Sequence, residues 1–338
     1  MAASRSMTVA EALGSVPDMI VQTLGDRVLQ KSLAAAGLPE DISSRVGFYV
    51  PEVALNRLLD AAAQSAGDDL FGLTFTGHLS IRDYGAWGDY VLEAPNLWAA
   101  LKRATTIMYL HANNDRLNIC VGETSSRFEY TFGERHVPGY DQVALAALGP
   151  LLSVPRHFKG PKWCPVSIGL DFVADHSMTK LEMALGTRVR CDEASISLEI
   201  MNKDLYSPNP NASTGRTTRG DVVRACGGGP PCDFPKIVEH LVIQNLEDDK
   251  TTLEDIAFLM GTSKRSLQRQ LDREGSNFRS ICNFAKMRRA AELLVDSQES
   301  ITEIATLLNY ATPSHFARAF RHIHGISPLE FRSKGSSD

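Results

Sequence analysis

The chain has 338 residues, of which 43% are hydrophobic and 22% charged, and this favours two or three domains with cores of their own. No basic patch followed by an apolar stretch opens the sequence, and no run reaches roughly 18 apolar residues. We therefore expect no signal peptide and no membrane anchor, and a cytoplasmic protein. The net charge of −5 argues against a wholly basic nucleic-acid-binding chain, but DNA binding depends on the charge of one face of one domain.

The six cysteines are scattered, without CxxC pairs and without histidines at zinc-finger spacing. We therefore expect free thiols, no metal and no other cofactor. A regulatory disulfide between Cys226 and Cys232, which flank a Gly-Pro stretch, is the open alternative.

The first part of the chain mixes helical apolar spacing with short apolar runs typical of strands. An all-β barrel would need more strands than this pattern contains, so an α+β domain is predicted over 1–208. The predicted helices cover 56–66, 95–110, 140–154 and 178–185, and the predicted strands cover 117–121, 127–132, 165–173 and 194–201.

The segment 209–235 is rich in Gly, Pro, Asn, Ser and Thr, and so few apolar residues cannot offset the entropy cost of ordering it. It is predicted to be a linker to an all-α domain over 236–338. Charge is segregated in this last domain, where eight lysines and arginines but only two acidic residues lie between Lys264 and Arg289. Such a basic stretch is typical of a DNA-facing surface.

An internal repeat in 236–338 is the strongest pattern in the chain. Apolar residues at i, i+3, i+4 and i+7 run from Leu253 to Met260, and the same spacing recurs 48 residues later from Ile301 to Leu308. Each run is followed by a residue suited to left-handed geometry, a new N-cap and an i, i+4 apolar pair, which predicts a helix-turn-helix, present twice. The caps, turn residues and apolar pairs are Thr252 with Asp255, Gly261, Ser263 and Leu267 with Leu271 in the first copy, and Ser300 with Glu303, Asn309, Thr312 and Phe316 with Phe320 in the second.

When the apolar pairs are buried, a rotation of about 100° per residue turns a polar row of each second helix outward. Arginine pairs bidentately with guanine and glutamine with adenine, whereas basic side chains and capped helix N-termini suit phosphates. A solvated face is the alternative for any single arginine, but arginines at matched sites of both copies favour DNA contact. The candidate DNA-binding residues are Arg265, Gln268, Arg269, Ser314, His315, Arg318 and Arg321, and the candidate phosphate contacts are Ser263, Lys264, Arg273 and Thr312.

Apolar spacing over 278–295 predicts one helix between the two copies, roughly 25 Å long. A continuous helix would hold both recognition helices rigidly. They would then enter successive major-groove segments about 34 Å apart on one face of double-stranded DNA.

Residues 252–332 resemble the AraC/XylS family of transcription regulators, most specifically through IATLLNYATPSHFARAFRHIHGISPLEFR. The first two hundred residues are similar, more weakly, to the arabinose-binding-like sensor domain of regulators grouped around ornithine- and arginine-responsive members, through GPKWCPVSIGLDF and ALGTRVRCDEASISLEI. The resemblance implies a nucleoid-associated homodimeric activator that contacts RNA polymerase and responds to a small-molecule effector in its sensor domain. It assigns base reading to the candidate DNA-binding residues other than Arg321.

Two residues depart from the family pattern. Asn309 stands where glycine is usual, which left-handed geometry permits. Pro313 stands where many members have a polar base-contacting side chain, so base reading by the second copy is expected to be reduced.

In the first domain, Arg82, Tyr84, Trp87 and Tyr90 place a cation among aromatics, a set that suits an effector pocket for a small acid or a flat metabolite. The alternative is that Tyr84 and Trp87 are core aromatics and Arg82 is a surface residue. The sequence does not identify the effector.

Two other functions remain open. One is a DNA-binding regulator whose first domain only dimerises and senses no ligand. The other is a DNA-tethered repair enzyme, which would need an activated cysteine in a metal-like cluster, and none of the six cysteines has such neighbours in sequence. No nucleophile elbow, phosphate-binding glycine loop or paired-carboxylate pattern occurs, so we expect no catalytic residue and no enzyme.

Overall fold

Strands and helices are interspersed in the unit that ends at Pro230. The computed structural model describes residues 5–45, 47–174, 178–211, 216–246, 248 and 250–335. The strands are β1 (Met7–Val9), β2 (Tyr49–Pro51), β3 (Arg116–Val121), β4 (Ser125–Thr131), β5 (Ser167–Gly169), β6 (Arg188–Arg190) and β7 (Ile196–Met201). The helices are α1 (Val16–Leu24), α2 (Asp26–Ala36), α3 (Glu52–Ala66), α4 (Ala86–Leu92), α5 (Leu97–Ile107), α6 (Tyr140–Lys159), α7 (Met178–Leu185), α8 (Asn202–Leu205) and α9 (Arg219–Ala225).

Five of these strands form one sheet in the order β3-β4-β7-β5-β6. Strands β5 and β6 are parallel, and the other neighbours are antiparallel. Strands β1 and β2 form a separate antiparallel pair. Along β4, Ser126, Phe128 and Tyr130 are buried, and the residues between them are less buried. This alternation, with a period of two residues, places one face of the strand against a core.

Helix α6 supplies much of the core of this unit, since most of its residues are buried. A 3-10 segment, Phe71–Gly77, approaches it closely. The Gly72 backbone N–H donates to Gln142 Oε1 at 2.8 Å, and a Cβ on Gly72 would lie 2.2 Å from the Gln142 carbonyl oxygen. Glycine is therefore required where this segment meets α6.

The α+β prediction is confirmed, and each predicted helix and strand of this unit has a counterpart. The predicted strand 165–173 is too long, because β5 pairs with β7 only as far as Gly169. Strands β1, β2 and β6 were not predicted, since three residues are too few to show alternation.

Part of the predicted linker 209–235 folds with this first unit. Helix α9 begins with a capping box, and its Val222 side chain is fully buried. The Tyr49 hydroxyl donates to the Cys226 carbonyl oxygen at 2.5 Å. One buried valine, a helix cap and long-range hydrogen bonds therefore order this part of the predicted linker, although its low apolar content predicted no structure. Residues 212–215 of the predicted linker lie outside the described residues.

Helices alone make up the described part of the unit that begins at Pro231, and the all-α prediction is confirmed. The predicted helix 278–295 corresponds to the longest of them. The helices are α10 (Phe234–Gln244), α11 (Leu253–Leu259), α12 (Lys264–Arg273), α13 (Phe278–Asp296), α14 (Ile301–Leu307), α15 (Pro313–His324) and α16 (Pro328–Gly335).

Candidate nucleic-acid interface and effector cavity

The two predicted helix-turn-helix copies have the same backbone geometry at their turns. Gly261 has φ 64°, and the residue after it donates its backbone N–H to Ala257 O at 2.8 Å. Asn309 has φ 56°, and the residue after it donates to Ala305 O at 2.9 Å. Because the left-handed residue and the closing hydrogen bond both recur after 48 residues, the repeat read from the sequence is a repeat of structure.

Side-chain caps start all four helices of the repeat. Thr252 and Ser300 each form a complete capping box with the residue three positions further on. Ser263 Oγ and Thr312 Oγ1 each accept the backbone N–H of the residue three positions further on, at 3.2 Å. Each oxygen accepts a hydrogen bond from its own helix, and a phosphate at these N-termini would also meet the backbone N–H groups of the first turn.

The second helix of each copy buries one apolar edge and exposes the opposite one. Leu267 and Leu271 of α12 and Phe316 and Phe320 of α15 are fully buried. All seven predicted DNA-binding residues and all four predicted phosphate contacts are exposed. The structure therefore places each predicted row on the outer side of its helix.

The exposed arginines differ in how far they are engaged. Within the part of the chain that the structure describes, the side chains of Arg265, Arg269 and Arg318 make no hydrogen bond or ion pair. Lys264 is held in an ion pair with Glu254. Unengaged guanidinium groups on a helix face keep their donors available for an anionic or base-edge partner.

Helix α13 connects the two copies and contributes to the core of the second. It packs against α10 on one side and against α14, α15 and α16 on the other. Its Met287, Ala290 and Leu294 side chains belong to one cluster with Phe316 and Phe320. A helix of 19 residues spans roughly 28 Å, and its packing against α10 and the helices of the second copy supports the continuous connection predicted from the sequence.

A cavity lies inside the first unit, among α3, α6, the 3-10 turn before α4, β3 and β4. It leaves about 100 Å³ in which the centre of a water molecule can move, whereas one water needs roughly 10–15 Å³ on that scale. Most of its lining is apolar. The cavity is therefore large enough for a small ligand and cannot be filled by water at low cost.

Two of the four predicted pocket residues line this cavity. Tyr84 and Trp87 form part of its wall, and the Trp87 Nε1–H donates to Ile107 O at 3.0 Å. Arg82 and Tyr90 are not among the lining residues. Arg82 is exposed and bonds His157 Nδ1 at 3.2 Å, while Tyr90 lies under the guanidinium of Arg103, 4.6 Å from its centre to the ring. The cation of the predicted pocket therefore lies outside the cavity.

Sequence reasoning missed the polar groups of the cavity. Glu52, Asn56, His111, Asp115 and Tyr130 all line it, and all five are buried. They are separated by up to 78 residues and show no common motif. Glu52 precedes the predicted helix 56–66, where an acidic residue is usually exposed and interacts with the helix dipole, so no local pattern distinguishes it.

Hydrogen bonds organise the two carboxyl groups. Asp115 accepts from the Tyr130 hydroxyl and from the Gly133 backbone N–H, the latter at 2.8 Å. Glu52 Oε2 accepts from the Glu134 backbone N–H at 2.9 Å. Burial and the negative charge of Asp115 raise the pKa of Glu52 well above its usual range. The two carboxyl groups are in hydrogen-bonding contact, and burial raises the pKa of both.

No helix among the described residues is long and apolar enough to cross a membrane. The same residues contain no group of three or more His, Cys, Asp or Glu side chains arranged to hold a metal ion. No disulfide joins any of the six cysteines, including Cys226 and Cys232.

Comparison with known proteins matches both units to families. Residues 29–209 match the model described as the arabinose-binding domain of AraC transcription regulators, N-terminal, and residues 256–334 match a helix-turn-helix domain model. The transcriptional regulator CdpR from Pseudomonas aeruginosa has a solved structure that aligns with 91% of this chain and 97% of its own, at 19% identity and a TM-score of 0.41.

Curated relatives match over the helix-turn-helix region. The virulence regulon transcriptional activator VirF of Shigella flexneri is 31% identical over 98 residues, which are 29% of this chain and 37% of VirF. The transcriptional activator NphR of a Rhodococcus species is 31% identical over 97 residues, 29% of each chain. The dual regulator Rns of Escherichia coli is 30% identical over 98 residues, 29% of this chain and 37% of Rns. The chain thus spans about a third of the length of these relatives.

The sensor-domain match alone covers more than half of the 338 residues, and the helix-turn-helix match follows it in the expected order. The chain belongs to the AraC family of transcription regulators.

Proposed function

We propose that this protein is a sequence-specific regulator that binds double-stranded DNA through α12 and α15, acts as an activator, and is controlled by a small molecule bound in the cavity of its first unit. The matched exposed rows on two structurally equivalent helices carry this proposal. The relatives that match this region are named as transcriptional activators or a dual regulator, which supports the same reading.

The assignment of bases and phosphates follows from side-chain chemistry. Arg265, Gln268 and Arg269 in the first copy suit base edges, since guanidinium and amide groups pair bidentately with guanine and adenine. In the second copy, Ser314 and Arg318 occupy the positions of Arg265 and Arg269, and His315 lies beside that row. Arg321, the remaining DNA-binding candidate, and the four phosphate candidates, Ser263, Lys264, Arg273 and Thr312, would anchor the backbone.

Effector control rests on the mostly apolar cavity with buried polar groups in its wall, the usual form of a small-molecule site. An effector that binds one arrangement of the protein better than another shifts the population between DNA-competent and incompetent states. Homodimer formation and contact with RNA polymerase complete the proposal.

Selection of purified full-length protein on random-sequence DNA tests the DNA-binding part. We expect enriched sites with two motifs separated by about one helical turn, roughly 10 base pairs. In titrations on such a site, Arg269→Ala and Arg318→Ala should each weaken binding by roughly tenfold to a hundredfold, with little change on random DNA. Lys236→Ala, which removes an exposed charge from α10, is the matched control and should leave affinity nearly unchanged.

Two results would contradict this proposal. If no motif is enriched, the repeat does not read sequence. If both arginine variants lose as much affinity on random DNA as on the selected site, these arginines contact phosphates and the base-reading assignment is wrong. The effector part is tested separately below, because ligand binding raises the thermal stability of the first unit whether or not DNA is present.

A further inference from the structure

The walls of the cavity combine acidic groups with aromatic faces. Tyr84, Trp87 and Tyr130 line it together with Glu52 and Asp115. No lysine or arginine is among its lining residues. His111, the one histidine there, is buried, and burial lowers its pKa to about 4, so it is neutral at physiological pH. The lining side chains therefore supply no positive charge to balance the carboxyl groups.

The acidic pair has no cationic side chain beside it in the cavity wall. Two buried carboxyl groups in contact carry one net negative charge when they share one proton. Both Asp115 oxygens accept hydrogen bonds, and Glu52 Oε2 accepts one. No N–H group or hydroxyl of the described residues donates to Glu52 Oε1, so inside the protein its hydrogen-bonding option is a proton shared with Asp115, although Glu52 is only 5% exposed. A buried oxygen without a donor costs free energy unless a ligand supplies one.

A second buried polar group points to a ligand as well. Asn56 lies one helical turn after Glu52 on α3, lines the same cavity and is 1% exposed. Its Nδ2 has no acceptor among the described residues. A half-turn of the terminal amide would present its oxygen instead, so Asn56 can serve a donor or an acceptor on the ligand.

We propose that this cavity binds a small molecule with a primary ammonium group on an apolar body and without an acidic group. The ammonium would donate to Glu52 Oε1 and lie among the aromatic faces of Tyr84, Trp87 and Tyr130, which attract cations. The apolar body would fill the remainder, which Leu, Val, Ile, Met and Phe side chains line. This inference rests on the proposed effector-controlled function and specifies its effector class.

The same walls exclude two other ligand classes. A carboxylate would add negative charge beside Glu52 and Asp115 with no lysine or arginine in the lining to receive it. A polyhydroxylated molecule would lose hydrogen bonds to water along the apolar walls, at a cost for each hydroxyl left without a partner.

Thermal unfolding of the full-length protein with three six-carbon probes tests the proposal. Hexylamine, hexanol and hexanoate share an apolar tail and differ in their heads. At up to ~10 mM and one buffered pH, we expect hexylamine to raise Tm by several degrees in a concentration-dependent way, hexanol to raise it less and hexanoate to leave it unchanged.

Glu52→Gln keeps the size of the side chain and removes the acid, so it should abolish the hexylamine shift and leave the smaller hexanol shift. Glu123→Gln removes an exposed acid in the β3–β4 turn and should leave all three responses unchanged. If Glu52→Gln does not fold, Asp115→Asn takes its place with the same expected outcome.

A Tm shift for hexanoate at least as large as for hexylamine overturns the proposal. The absence of any hexylamine shift overturns it as well, as does an undiminished hexylamine shift in a folded Glu52→Gln or Asp115→Asn variant.

These failures are distinguishable from failure of the proposed function. If hexylamine fails but the arginine-dependent DNA binding holds, the effector class is wrong and the regulator remains. If hexylamine binds but no DNA motif is enriched, the cavity proposal stands and the DNA-reading proposal falls.

Discussion

The two helix-turn-helix copies have the same backbone geometry and differ in the side chains that they carry. Helix α12 carries four lysines and arginines, whereas α15 carries two and begins with Pro313, which has no side-chain donor. Aromatic packing is concentrated in the second copy, where the Phe320 ring centre lies 4.3 Å from that of His324 and 5.3 Å from that of Phe331. The same turn thus supports a copy rich in surface charge and a copy rich in aromatic core, and the two should respond differently to equivalent substitutions.

The largest effect is expected when the aromatic core of the second copy is truncated. Phe320→Ala should lower the free energy of unfolding by roughly 3–5 kcal/mol, because a fully buried ring is replaced by a cavity. Leu271→Ala, the equivalent change in the first copy, removes a smaller buried side chain and should cost roughly 2–4 kcal/mol. Urea unfolding of the full chain measures both free energies of unfolding. A smaller loss for Phe320→Ala than for Leu271→Ala would contradict the conclusion that aromatic packing is concentrated in the second copy.

Affinity for DNA should show the opposite order. Arg269→Ala is expected to cost roughly 1–3 kcal/mol on a selected site, and Arg318→Ala to fall at the lower end of that range because Pro313 reduces base reading by its helix. Binding titrations at one fixed salt concentration make the comparison, since affinities at different salt are not comparable. An equal or greater loss for Arg318→Ala would mean that the second copy reads DNA as fully as the first.

The repeat could be predicted because everything that defines it is local. Caps, turn residue and apolar pair of the second copy lie between Ser300 and Phe320, and each obeys a rule of spacing. The cavity could not be predicted, because Glu52, Asp115 and Tyr130 meet only after α3 packs near the β3–β4 ladder. Arg82 was placed in the pocket because it precedes Tyr84 and Trp87 in sequence, but a 3-10 turn directs it to the surface.

A smaller effect is expected at the cap of α14. Ser300→Ala removes a capping box, so amide exchange in the first turn of α14 should accelerate by roughly fivefold.

Hydrogen bonds from Ser300 lower the pKa of Glu303 below its usual range. A lowered folded-state pKa stabilises the helix above the unfolded pKa and loses this effect as pH falls, so acidification should narrow the difference between Ser300→Ala and wild type. The part that remains at acid pH comes from Ser300 Oγ, which accepts the Glu303 backbone N–H at any pH. A difference that does not change with pH would show that the Glu303 carboxylate gains nothing from the Ser300 side chain.

The smallest effect is expected at the turn itself, where the copies differ by one residue. Asn309 has φ 56° and Gly261 has φ 64°, a region that asparagine tolerates better than other side chains and glycine tolerates best. Asn309→Gly relieves strain but adds freedom to the unfolded chain, so the free energy of unfolding should change by no more than ~0.5 kcal/mol. Asn309→Ala keeps the strain without the compatible side chain and should cost ~1 kcal/mol. If thermal unfolding ranks Asn309→Ala above Asn309→Gly in stability, the left-handed turn is not what ends α14.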